Sequence, residues 1–214
     1  VHYAKSAAHP EFLEASSPAI LAAPLGADAI RFPLRSERVD FIEGSLRQVS
    51  DTTPADGDGF RNSRKPLVAD FMFHGEEVTF VGVHNYSRLG SDELFGQNQP
   101  PFISGDPRRT DQNTAIRDFV RAEMAANANS NIVVAGDFNA FHYETSMTML
   151  ESAGQLTNIV WSLDALDRYS SSYQGSNEQI DHLLVSSRLA AQALFDNVHM
   201  NSNQPYGTTP TDHD

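Results

Sequence analysis

Asn131-Ile132-Val133-Val134-Ala135-Gly136-Asp137-Phe138-Asn139 is the stretch whose reading decides the fold. Its continuous apolar run, with no polar residue alternating, describes a strand buried on both faces of a sheet. The Gly-Asp-x-Asn that ends the run sets a carboxylate and a carboxamide two residues apart, so both emerge on one side of the sheet's mouth. Such a pair can orient a water and hold an anionic oxygen. The same residue types also close ordinary turns.

Upstream, Asp106-Pro107 opens a helix in which Ala115, Ile116, Phe119, Val120 and Met124 keep the spacing of a buried stripe. It frays into Asn127-Ala128-Asn129-Ser130. Before it, Leu67 to Phe73 and Val78 to Val83 read as strands joined by a turn over His74-Gly75-Glu76-Glu77. Asn85 to Gly105 is a long Gly-, Ser-, Asn- and Pro-rich loop, and loops of that length inside a domain are more often functional than decorative. Ile30-Arg31-Phe32 and Arg38 to Ile42 alternate like half-buried strands, and Asp51 to Ser63 reads as an exposed loop. Pro10 to Leu25 carries only a weak helix signal. Downstream, Tyr143 to Ser152 reads as a helix, and Ile180 to Ser186 and Ala193 to Met200 as strands. Strands mixed with helices, without repeats, give an α/β domain.

The chain has 214 residues, enough to bury a sizeable core. Twenty-eight acids against fifteen bases leave a net charge of −13, which excludes nucleic-acid binding through bulk charge alone. A polyanionic substrate therefore requires a local basic patch, a divalent cation, or both. With no cysteine, disulfides, thiolate metal sites and Cys nucleophiles are excluded. No apolar run reaches the length of about eighteen residues that a membrane span needs.

Three further sites carry chemistry. Asp181 heads the apolar strand Ile180-Asp181-His182-Leu183-Leu184-Val185-Ser186, on the opposite face from His182, where it can accept from an imidazole elsewhere. Thr211-Asp212-His213-Asp214 offers carboxylates to a hard cation and a histidine to a scissile group. His84 closes the Val78 strand and is followed by Asn85, Tyr86 and Arg88, while Arg64-Lys65-Pro66 is a small basic spot before the Leu67 strand.

The order of these motifs resembles the endonuclease/exonuclease/phosphatase (DNase I-like) superfamily, and most of all its bacterial extracellular nucleases. Ser63-Arg64-Lys65-Pro66-Leu67, Leu94-Phe95-Gly96 with Gln99-Pro100-Pro101, and the helix that follows are similar to that group too. The resemblance implies a four-layer α/β/β/α sandwich. It also implies hydrolysis of a phosphodiester in DNA or RNA by in-line attack of water, with Mg²⁺ (or Mn²⁺ or Ca²⁺). It assigns Asp137 to the attacking water, Asn139 to the phosphate or that water, His213 to the phosphoryl oxygens, and Asp181 to His213. His84 is placed near the scissile phosphate, Arg64 and Asn85 are substrate contacts, and Asp212 is a metal carboxylate. Arg88, Arg108 and Arg109 join Arg64 as the cationic patch.

The sequence also departs from the family. Residues 1–27 form a poorly defined segment lacking the strand-borne Asn and Gln-Glu pair expected of the metal site; Glu11 and Glu14 are poor substitutes. The strand expected after the Asp-His motif is absent. Residues 28–214 therefore read as the C-terminal portion of such a domain, incomplete at both ends, secreted from a bacterium, with the signal peptide outside this chain. Two alternatives stand beside the nuclease: a sphingomyelinase-like enzyme acting on a phospholipid or small phosphate ester, and an inactive fragment.

Overall fold

The structure is a computed structural model that describes residues 38–51, 58–152, 154–173, 175–205, 207–209 and 211–214. Segment 1–27, the Ile30-Arg31-Phe32 strand, Glu11 and Glu14 lie outside the described residues. The strands are β1 (Val39–Phe41), β2 (Arg47–Gln48), β3 (Leu67–Phe73), β4 (Glu76–His84), β5 (Asn131–Asp137), β6 (Leu156–Asn158), β7 (Ser171–Tyr173), β8 (Ser176–Glu178) and β9 (Asp181–Ser186). Among the described residues three α-helices interleave with them: α1 (Asp106–Ala126), α2 (Thr145–Glu151) and α3 (Ser187–Ala190).

Seven strands form one mixed sheet in the order β1-β3-β4-β5-β9-β6, with β2 also paired to β3; β7 and β8 form a separate ladder. The apolar run of β5 sits at its centre, parallel to β4 and antiparallel to β9. The parallel pair requires a crossover, and α1 provides it. The turn between β3 and β4 is tighter than the sequence suggests. Only His74 and Gly75 lie outside the strands, at φ 51° and 80°, a two-residue turn with both central residues left-handed.

The stripe on α1 packs Ile116 and Val120 against Val68, Val81, Ile132, Val134 and Leu184, with Met147 and Leu150 of α2 closing the cluster. Each such fully buried side chain contributes about 1.5–3 kcal/mol. The other face of the sheet carries a smaller cluster around Leu67, Ala69 and Phe71, with Phe41 and Phe80 against it.

One expected strand is missing: residues 193–200 adopt no regular structure. Leu194, Val198 and Met200 are exposed there, so the apolar half of the alternation faces water. The polar half turns inward. Asn197 donates to the carbonyls of Asp167 and Tyr169, and His199 meets Asp214.

Candidate active site

Strand register brings the polar residues together. Leu67 pairs with Gly82, His84 with Asp137, and Asp137 with Asp181. The lead-in to β3, the ends of β4 and β5 and the start of β9 thus share one rim. Along it His84, Asp137 and Asp181 stand on adjacent strands and one face.

Gly136 shapes the rim. Its φ is 137°, and a Cβ there would lie 2.0 Å from the Val83 carbonyl oxygen, so only glycine lets β5 approach β4. Asp137 follows and is buried. Its Oδ1 accepts from the Asn139 amide N–H at 2.7 Å, and its Oδ2 accepts from Asn139 Nδ2 at 2.9 Å. His84 Nε2 lies 3.5 Å from the same Oδ2. Asn139 reaches this position through φ 52°, a conformation Asn tolerates better than most residues. Burial, reinforced by the charge of Asp181, pushes the Asp137 carboxyl up to about 6, against the opposing pull of His213 and the Asn139 N–H.

Asp181 holds His213. His213 Nδ1 donates to Asp181 Oδ2 at 2.6 Å, and the Ser170 hydroxyl donates to the same oxygen at 2.8 Å. Burial lowers the imidazole's affinity for a proton, but the bond to Asp181 and the charges of Asp181, Asp137 and Asp212 outweigh it and raise His213 to about 9. Burial raises Asp181, and its bonds to His213 and Ser170 more than reverse that, keeping it below the ordinary carboxylate range. One carboxylate near neutrality beside an imidazole kept protonated is an acid–base pair whose members are pushed apart by environment.

His182, next in sequence, points to the helix face. Its Nε2 lies 2.8 Å from the Ala140 carbonyl oxygen and its Nδ1 3.1 Å from Asn158 Nδ2. Burial lowers it to about 4, so it is a neutral, structural histidine.

Several expected roles change. Asn85 is buried and donates to Asn113 Oδ1 on α1 at 2.7 Å, while its carbonyl accepts from Asn139. It braces the rim rather than facing substrate, and the Asn139 amide is aimed at Asp137. Arg64 is half-buried before β3, outside the walls of the groove described below. The cationic patch does not form as expected. Arg109 is fully buried and donates to the carbonyls of Tyr86, Ser87 and Ser104. Arg88 pairs with Glu144 at 2.7 Å and lies over the Phe141 ring, and Arg108 lies over Tyr86. These arginines fasten the long loop to α1 and α2, because buried carbonyls and a buried carboxylate need donors.

That loop forms one wall of a groove of about 650 Å³, which reaches Asn139, Asp212 and His213 and has Tyr173 and Glu178 opposite. Asp92, Glu93, Glu178 and Asp212 make its lining acidic, and Leu89 and Phe95 make it partly apolar. Asp212 is largely exposed, 4.0 Å from His213 Nε2. Among the described residues no group of three His, Asp or Glu is arranged to hold a metal ion. A lone carboxylate beside an imidazolium does not make a Mg²⁺ site, so the residues present do not fit the ion. The buried Asp181 Oδ1 is an acceptor at the rim without a hydrogen-bond partner among the described residues.

Sequence reasoning missed Ser170, whose hydroxyl also accepts from the Asp181 and Ile180 N–H groups. A serine run offers no signal for that role. It missed Glu144 as well, although the Arg88 partner had been singled out.

The mixed sheet thus carries helices on one face and an ionisable rim at one end. The chain belongs to the Endonuclease/Exonuclease/phosphatase family, whose sequence profile matches residues 29–213. Members of that family are phosphoesterase hydrolases and generally depend on a divalent metal. The fold is similar to that of the human Nocturnin catalytic domain with bound sulfate anion (TM-score 0.50, 14% identity, 71% of this chain and 49% of that one). It is equally similar to humanized D. rerio TDP2 (TM-score 0.50, 16% identity, 72% and 54%). Both share the DNase I-like arrangement of a multi-strand sheet with flanking helices. The chain spans about half the length of these structures. No curated protein matches it. No helix among the described residues is long and apolar enough to cross a membrane.

Proposed function

We propose that this chain carries the acid–base half of a metal-dependent phosphodiesterase, a nuclease acting on DNA or RNA. The observation that carries the reading is the rim itself: Asp137, pushed up to about 6, is paired across β5 and β9 with Asp181, which holds His213 and raises it to about 9. At neutral pH Asp137 is ionised and takes the proton of an attacking water as the water's oxygen bonds to phosphorus. His213 donates hydrogen bonds to the phosphoryl oxygens and gives its proton to the leaving oxygen as the opposite P–O bond breaks. His84 and Asn139 hold the Asp137 carboxylate in place.

Metal ligation is proposed to draw on residues beyond those described here, with Asp212 at its margin. The extracellular location inferred from the family resemblance belongs to the same proposal, and fractionation of the producing cells tests it.

A second reading, a phospholipid or small phosphate ester, is favoured by the acidic and apolar groove lining and by the engagement of Arg88 and Arg109. Parallel assays of the full 214-residue chain with Mg²⁺ against plasmid DNA, sphingomyelin and bis(p-nitrophenyl) phosphate separate the two. The nuclease reading expects DNA nicking that chelation abolishes. Hydrolysis of sphingomyelin alone selects the second reading, and hydrolysis of none of the three removes both. If the remaining metal ligands lie outside the 214 residues, turnover should fall at least about tenfold below that of a family member that carries them. Parity would show that the ion needs no ligands beyond this chain.

A further inference from the structure

A second imidazole–carboxylate pair lies directly behind His213. His199 Nδ1 is 3.0 Å from Asp214 Oδ2, and the His199 ring stacks on Tyr169 with centroids 3.7 Å apart and planes 3° from parallel. Asp214 Oδ1 accepts from the Asn201 and Ser202 N–H groups at 2.8 and 3.0 Å, and the Ser202 hydroxyl donates to Oδ2. Asn201 Nδ2 donates to the His213 carbonyl at 2.7 Å. On the far side, the Asp214 N–H donates to the Ser170 carbonyl at 2.7 Å, and Ser171 bridges His213.

These bonds close a circuit. Ser170 accepts from the Asp214 N–H with its carbonyl, and its hydroxyl accepts from the Asp181 N–H and donates to the Asp181 carboxylate, so one residue is fastened to both partners' backbones. Residues 211–214 belong to no helix or named strand, and their own ladder cannot fix the ring of His213. The main chain there is held on one side by Ser170 and Ser171 and on the other by segment 199–202, which grips residue 213's carbonyl and residue 214's carboxylate. The Asp214 carboxylate is well inside the protein and fully bonded, so it has no spare capacity for a reaction of its own.

We propose that His199 and Asp214, with Asn201, form a positioning clip that fixes the backbone at His213 so that its ring meets Asp181 and faces the groove. The proposal rests on the assignment of His213 to the acid role, but its geometric part does not depend on catalysis. Positioning residues of this kind act through small displacements, and misplacement by about 1 Å costs about 100-fold in rate.

The test uses the full chain with ¹⁵N-labelled histidine at fixed pH. In the wild type the His213 Nδ1 proton is expected as a protected downfield signal. His199→Ala is expected to broaden or remove it, while His199→Asn, whose amide can donate in place of Nδ1, keeps it. Asn201→Ala deletes one bond only and remains informative if His199→Ala does not fold. Where turnover is measurable, His199→Ala should lower kcat by about 10–100-fold with KM changed less than about twofold, and His199→Asn should recover most of it. A folded His199→Ala or Asn201→Ala chain with His213 signals unmoved overturns the clip. A wild-type chain that hydrolyses no phosphoester overturns the acid assignment instead, and the spectra still decide the clip.

Discussion

Replacing Asp181 with Asn isolates what keeps His213 protonated. In the wild type the imidazole is raised to about 9, although burial alone pulls it down. Burial persists in the variant while the charge of Asp181 vanishes, leaving only Asp137 and Asp212 to oppose it, so His213 should fall toward its ordinary 6.5. At pH 8 the protonated fraction then falls from about nine-tenths to about 3%, a loss of about 30-fold, whereas at pH 6 it falls by less than about 1.5-fold. The measurement is kcat for bis(p-nitrophenyl) phosphate from pH 5 to 10, with the His213 titration followed by NMR. The alkaline limb should move from about 9 toward 6.5. Loss of equal size at pH 6 and pH 8, or an alkaline limb still near 9, would refute the reasoning.

The same pair governs stability. A histidine raised in the folded state contributes stability that is complete below its unfolded value of 6.5 and is lost as the pH climbs through about 9. The gap corresponds to a ceiling of about 3 kcal/mol. Wild-type Tm should therefore decline between pH 7 and 9, and the Asp181→Asn curve should be flat over that window.

Asp137→Asn should abolish most turnover, by about 10²–10⁴-fold, yet raise Tm at pH 8. A carboxyl raised to about 6 costs stability above that pH and none below 3.8, and about 1 kcal/mol recovered shifts Tm by about 2–4 °C. An unchanged or lower Tm would show that its hydrogen bonds to Asn139 outweigh its burial. Gly136→Ala places a methyl 2.0 Å from the Val83 carbonyl oxygen and should cost more than about 3 kcal/mol in urea unfolding; a smaller loss means that β5 can shift. Arg109→Met leaves the carbonyls of Tyr86, Ser87 and Ser104 without their donor, at about 1–3 kcal/mol for each stranded group. Limited proteolysis should then cut the loop between residues 86 and 104 before the core, and unchanged resistance would assign the loop's order to other contacts.

The central strand was legible because its apolar run has no polar member, and α1 because its stripe repeats at the helical period. The rim residues His84, Asp137, Asn139, Asp181 and His213 were legible as an ordered set of motifs; the register brings His84, Asp137 and Asp181 to one end of the sheet, and Asn139 and His213 join them by hydrogen bonds. Other features lay beyond a linear reading. Residues 193–200 alternate like a strand, but Asn197 and His199 are the members that turn inward, a preference decided by distant carbonyls and by Asp214. Arg88, Arg108 and Arg109 carry charge in the sequence, but nothing in one dimension says that a backbone loop and Glu144 will claim it. Asn85 follows a rim histidine and still points away, because Asn113 offers it a buried acceptor.

Under the proposed function, the pairing of β5 with β9 also makes turnover a gauge of assembly. Sliding β9 by a single notch would set His182 where Asp181 belongs and swing every side chain of that strand to the opposite surface. Such a molecule would keep its length, its composition and much of its hydrogen bonding, and still be inert. Any hydrolysis recovered after refolding thus counts the fraction of chains that zipped up with the right tooth in the right gap.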